Sequence, residues 1–178
     1  MKAQFWSIDM IFAIVIFSGA IIMLSVVWLN INNQLSTSYG FGIGMMQLQL
    51  NSLIQRLQST GSPPRWNSFV SVNDSATWSN VSIGLGTGNG SSISTNKIMS
   101  FMAMANSNYQ STKQLLGVGY DYYVTITSQG QYNISIGRSP IAYNATAIQV
   151  ASVPVILDNG QAGTMRIIVW TNTTFGVG

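Results

Sequence analysis

Histidine, cysteine and glutamate are absent from this chain of 178 residues, and charge of either sign is scarce. Charged residues make up 6% of the sequence, seven Lys and Arg against four Asp, where a soluble domain averages roughly a quarter. Each absence removes chemistry. Without His, Cys or Glu, the usual zinc sites, Cys–His nucleophile pairs and glutamate general bases cannot be assembled. No disulfide can staple the fold. The composition predicts a chain that is not an enzyme and carries no metal or organic cofactor. Polarity comes instead from Ser, Thr, Asn and Gln, which together number 63.

The few charges are unevenly placed. Only Lys2 and Asp9 precede Arg56, so residues 10–55 carry none. Further along, Arg65, Lys97, Lys113, Arg138 and Arg166 lie far apart. Counterion release on a nucleic acid needs clustered cations, so the net charge of +3 predicts no nucleic-acid partner.

The uncharged stretch is also apolar. From Met10 to Leu29, seventeen of twenty residues are apolar, with Ser18, Gly19 and Ser25 the exceptions. About twenty such residues cross a hydrocarbon core of roughly 30 Å. The run has no polar stripe at helical spacing, so as a helix it must be covered all round. It is longer than the apolar core of a cleaved secretory signal. A membrane anchor is the expectation. Lys2 places the short N-terminus in the cytoplasm, which sends the remainder outside.

Beyond the anchor, the glycine cluster Gly40-Phe41-Gly42-Ile43-Gly44 predicts a flexible or locally melted stretch of helix. It is not a nucleotide fingerprint, because no strand precedes it. Met46, Leu50, Leu53, Ile54 and Leu57 then recur at three- and four-residue spacing, the signature of an amphipathic helix. Gly61 and Pro63-Pro64 are expected to stop it. Residues 5–58, if all helical, would reach about 80 Å.

From Asn67 the texture is alternating. Val81, Ile83 and Leu85, then Tyr122, Val124 and Ile126, then Tyr132, Ile134 and Ile136 each alternate with polar residues, which predicts half-buried strands. Runs at Ala147–Leu157 and Thr164–Thr171 flank Asp158-Asn159-Gly160-Gln161, read as a two-residue Asn-Gly hairpin. Ile98, Phe101, Met102, Ala105 and Tyr109 share a helical face, with Ser94 or Thr95 as cap and Gly117 as stop. Gly84 to Gly90 reads as an exposed loop. The fold class expected is α+β: a long N-terminal hydrophobic helix, then a small, mostly antiparallel sheet with one additional helix. The parts are a basic leader at 1–4, a membrane or core helix at 5–35, its outer half at 36–62 with the glycine break at 40–44, and an extracellular β-rich domain at 63–178.

Three motifs bear on function. Asn73, Asn80, Asn89, Asn133, Asn144 and Asn172 all open N-x-[ST] sequons, where about three are expected by chance from so permissive a pattern. All six lie in the predicted outer part, so N-linked glycans are the one non-protein group expected. Asp9, just before the apolar run, reads either as an acid in the first helical turn, favoured by the helix dipole, or as an assembly contact. Ser94-x-x-Lys97 matches a serine-hydrolase spacing but lacks its companion motifs and is set aside. Tyr120, Tyr122 and Tyr123 read as sheet packing, with a carbohydrate or base platform as the alternative.

The segment Lys2-Ala3-Gln4-Phe5-Trp6-Ser7-Ile8-Asp9, running straight into the apolar helix, resembles the start of archaeal type IV prepilins. Those have a short basic leader, a processing site, an acidic residue about five positions into the mature chain and a hydrophobic helix. The family usually carries Glu where this chain has Asp9. The stretch Leu115-Leu116-Gly117 to Val124 is also similar to head regions of archaeal pilin-like proteins. The resemblance implies leader processing at Ala3, Gln4 and Phe5 by a prepilin peptidase. It implies extraction from lipid by an ATPase-driven platform, and polymerisation with copies of itself into a surface filament. Asp9 would be the assembly contact, and Phe12, Ile16, Gly19, Ile22 and Val26 would line the filament-core helix. A non-polymerising single-pass surface protein with a sugar- or ligand-binding head, and an archaellin of a motility filament, are the alternatives.

Overall fold

A computed structural model describes residues 3–72, 74–88, 92–128 and 132–173, with side chains from Asp9 to Ile31 and from Gly42 onward, Tyr132 excepted. The fold is α+β: one long helix, two shorter helices and a five-stranded sheet. The chain divides into two compact units, one ending at Gly42 and the other spanning Ile43–Thr174.

Helix α1 runs without interruption from Ala3 to Gln58. The melted stretch expected at Gly40–Gly44 is helical. Glycine lowers helix stability by about 1 kcal/mol per residue relative to alanine, which is too little to break hydrogen bonds that helical neighbours supply on both sides. The helix ends before Gly61 and the prolines. The Ser59 N–H donates to the Gln55 and Arg56 carbonyls, and the Ser59 hydroxyl donates to Arg56 O at 2.7 Å.

In the second unit, Met46, Leu50, Leu53 and Leu57 on α1 are fully buried. Helix α2 (Thr95–Ser107) adds Ile98, Phe101, Met104 and Ala105 to the same core. The single helix expected here is two helices. Asn108 takes an extended conformation, ends α2 and caps α3 (Tyr109–Leu116) by accepting from Ser111 N–H. Asparagine competes with the helix for its own backbone groups, and that competition breaks the run. Gly117, left-handed, closes α3.

The sheet order is β1-β4-β5-β2-β3. Strands β2 (Asp121–Ser128), β3 (Tyr132–Gly137), β4 (Ala147–Leu157) and β5 (Ala162–Thr171) pair antiparallel; β1 (Ser92–Ile93) pairs parallel with Ile156 and Leu157. The alternation in β2 is as the sequence spacing predicts, with Tyr122, Val124 and Ile126 buried and their neighbours half-buried or exposed. The β4–β5 hairpin is not a two-residue turn. Leu157 N–H bonds Gln161 O, Gly160 N–H bonds Leu157 O, and Gly160 has φ +82°. That is a three-residue loop with a left-handed glycine at its end.

The strand expected at Val81–Leu85 does not form. Ile83 and Leu85 are buried, but the segment pairs with the irregular chain leaving α1: Ser62 with Ser82, Leu85 N–H to Leu57 O, and Gly86 N–H to Ser59 O. Gly61 and Gly84 make this crossing possible. A Cβ on Gly84 would lie 2.3 Å from Gly61 N, and one on Gly61 would lie 2.4 Å from Ser82 O. Gly84, Leu85 and Gly86 are therefore buried rather than exposed loop, while Thr87 and Gly88 do face solvent.

Candidate functional site

Among the described residues, three polar clusters bring ionisable side chains together with partners from other elements. Lys97, on the first turn of α2, is buried. Its Nζ donates to Thr60 O at 2.7 Å and to Gly86 O at 2.8 Å. Burial pushes its pKa below the ordinary lysine value. The Ser94-x-x-Lys97 spacing thus delivers a lysine engaged with backbone carbonyls, tying α2 to the crossing beneath it.

Asp158 lies in the β4–β5 turn as expected, and it also caps α2. Ser94 makes no side-chain cap, and Asp158 from the β4–β5 loop takes its place. Its carboxylate accepts from Thr95 N–H at 2.9 Å and from Thr95 Oγ1 at 2.5 Å. Burial pushes its pKa up, but the hydrogen bonds from Thr95 and Ser94 outweigh that and hold it below the usual carboxylate value.

A third cluster gathers at the start of β2. Asp121 accepts from Tyr109 Oη at 2.9 Å and pairs with Lys113 Nζ at 3.1 Å. Tyr109 Oη in turn accepts from Tyr122 N–H. The Arg138 guanidinium stands 4.5 Å over the Tyr109 ring and 5.3 Å from the Tyr143 ring centre, in cation–π range. Burial pushes the Tyr109 and Tyr122 hydroxyls far above their ordinary value, so both stay protonated through the physiological range. Tyr122 stacks on Tyr109 and Phe101 inside the core, whereas Tyr123 faces the other side of the sheet. The three tyrosines therefore do not form one platform.

None of these clusters was legible as a site in the sequence. The partners of Lys97 are backbone carbonyls, and Asp158 lies 63 positions from Thr95. Neither relationship leaves a local pattern. Among the described residues no group of three metal-ligating side chains occurs.

The feature that calls for a function is α1. Asp9–Ile31 is long and apolar enough to cross a membrane, and none of it is buried. Phe12, Ile16, Ile22 and Val26 are each more than half exposed. Gly19 has nothing within 4 Å of where a Cβ would stand. The Ser25 hydroxyl donates to Ile21 O at 2.9 Å, so that polar group is satisfied within the helix. At about 1.5–3 kcal/mol for each large apolar side chain, leaving this surface in water costs on the order of tens of kcal/mol.

Asp9 is exposed, but not in the first helical turn. The helix is described from Ala3, and the dipole fades within one turn, so that explanation of Asp9 does not hold here. Ala3, Gln4 and Phe5 form the first turn itself; their side chains lie outside the described set. Of the sequon asparagines, Asn80, Asn133, Asn144 and Asn172 are exposed; Asn73 and Asn89 lie outside the described residues. No known protein family, characterised protein or solved structure matches this chain.

Proposed function

We propose that the chain is a structural subunit of an extracellular, archaeal type IV pilus-like filament used in surface adhesion, held in the membrane by its N-terminal helix before assembly. The observation that carries this reading is α1 itself: an apolar surface exposed all round from Asp9 to Ile31, on a chain whose other unit has a buried core of its own. Such a helix is stable in lipid, and equally stable among copies of itself, where small positions such as Gly19 and Ala20 permit close approach. Extraction from lipid costs little only if neighbouring helices replace the lipid. The partners under this reading are lipid first, then other copies, with a prepilin peptidase and an assembly ATPase acting between. An archaellin, expected to carry an all-β head, fits less well with α2 and α3 in the head.

Asp9 gains a role from processing. Cleavage after Ala3 or Gln4 leaves a new amine four or five residues before Asp9, about 6–7.5 Å along a helix. The carboxylate would then pair with the amine of a neighbouring subunit and offset the cost of an acid at the edge of an apolar core. Asp9→Asn removes the charge and keeps the shape. Membrane insertion should be unchanged and filament yield should fall several-fold. Unchanged yield would return Asp9 to a headgroup contact.

A further inference from the structure

Among the described residues, the five-stranded sheet has two unpaired edges. On one side, β3 pairs with β2 and with no other described strand. On the other, β1 covers only Ile156 and Leu157 of β4, and no described strand covers Ala147–Val155. None of residues 147–154 is buried, and Ile148 and Val150 are 46% and 44% exposed. A long edge with apolar side chains is a template for pairing with another chain.

Proteins ordinarily guard such edges with lysine or other charges, with proline, or with a bulge. This chain has almost no charge to use. Neither β3 (YNISIG) nor β4 (AIQVASVPVIL) contains a charged residue. Pro154 is the one ordinary guard. Leu157 N–H points to the hairpin partner Gln161 and Asp158 N–H points to β1. Backbone direction alternates along a strand, so Pro154, four residues before Asp158, lacks its N–H on the open side. That protects the end nearest β1 and leaves Ala147–Val153 without protection.

The sequons fall where protection is missing. Asn133 is exposed on the edge strand β3. Asn144 is exposed three residues before β4 begins, held out with φ +51°. Asn172 is exposed directly after Thr171, the register partner of Ala147 at the same end of β4. Asn80 is exposed in the turn before the crossing and belongs to no strand.

We propose that N-linked glycans at Asn144 and Asn133 are edge guards, taking the place of charge in keeping the two open sheet edges from pairing with other chains. A glycan is bulky and hydrated, and it blocks an approaching strand without needing a charge. The proposal rests on the head being extracellular, as the filament reading requires, and on nothing else in that reading.

The test uses the full chain purified in detergent from its native host, with glycopeptide mass mapping and sedimentation in parallel. Mapping should find Asn144 and Asn133 occupied. Asn144→Gly removes the sequon and keeps the left-handed conformation without strain. It should raise the associated fraction several-fold over wild type, while Asn80→Gln should not. Adding Ser152→Lys to Asn144→Gly places a charge on the open edge and should restore the wild-type distribution. The proposal is overturned if Asn144 and Asn133 are bare, if Asn144→Gly associates no more than Asn80→Gln, or if Ser152→Lys fails to reverse it. Absence of filaments with the guards occupied and effective would overturn the filament reading and leave this one standing.

Discussion

At the scale of single residues, the head is held by a few polar groups in unusual positions. Tyr122 is wholly buried, and its hydroxyl has no hydrogen-bond partner among the described residues. An unsatisfied buried hydroxyl costs about 1–3 kcal/mol. Tyr122→Phe should therefore stabilise the protein by about 1 kcal/mol at neutral pH, read by denaturant unfolding. The same burial raises the Tyr122 and Tyr109 pKa values above their ordinary 10.0. The folded state then keeps those protons longer than the unfolded state. Stability is full below pH 10 and is lost as pH climbs beyond it. Tyr122→Phe should shrink that alkaline loss, and an unchanged alkaline limb would contradict the assignment. Asp158 has the opposite sign. Its lowered pKa means its contribution is present above about pH 4 and fades as pH falls. Asp158→Ala should cost about 1 kcal/mol, as removal of a helix cap does, and should flatten the acid limb of the stability profile.

At the scale of elements, what was legible in the sequence follows from whether the cause was local. The spacing of Met46, Leu50, Leu53 and Leu57 predicts their burial on α1, and the alternation from Tyr122 to Ile126 predicts β2. In both cases period and burial arise within the element. The Val81–Leu85 segment has the same alternation, and Ile83 and Leu85 are buried as it implies. No strand forms there, because its partner is the irregular chain around Ser59 to Ser62, which alternation cannot reveal. Glycine was the other weak signal. Gly44 sits in a continuous helix with nothing within 4 Å of a Cβ, whereas Gly61 has φ +74° and a Cβ there would lie 2.6 Å from Trp66 Cδ1. Both are simply Gly in the sequence. The structure separates them: Gly44→Ala should stabilise by up to about 1 kcal/mol, while Gly61→Ala should destabilise by more than that. Thermal unfolding of the two variants checks the contrast, and a matched response would mean the crossing is not as close as described.

At the scale of the whole molecule, the shortage of charge divides between the two units. Residues up to Gly42 carry only Lys2 and Asp9, on a helix whose Asp9–Ile31 stretch has no surface covered. The unit from Ile43 has nine charges, and Lys97, Lys113, Asp121, Arg138 and Asp158 are each engaged in holding elements together. Arg56, Arg65, Asp74 and Arg166 are exposed, and Ser, Thr and Asn supply most of the remaining outer polarity, with the sequon residues Asn80, Asn133, Asn144 and Asn172 exposed among them. Under the function proposed above, the exposed apolar helix is covered first by lipid and then by copies of the chain, while the second unit has a buried core of its own. The direct measurement is to shear surface filaments from the native cells, image them and sequence their subunit from its N-terminus. The account predicts filaments built of this chain, beginning at Gln4 or Phe5. Finding the chain only in the membrane fraction, with Met1 intact and no filament containing it, would contradict the account.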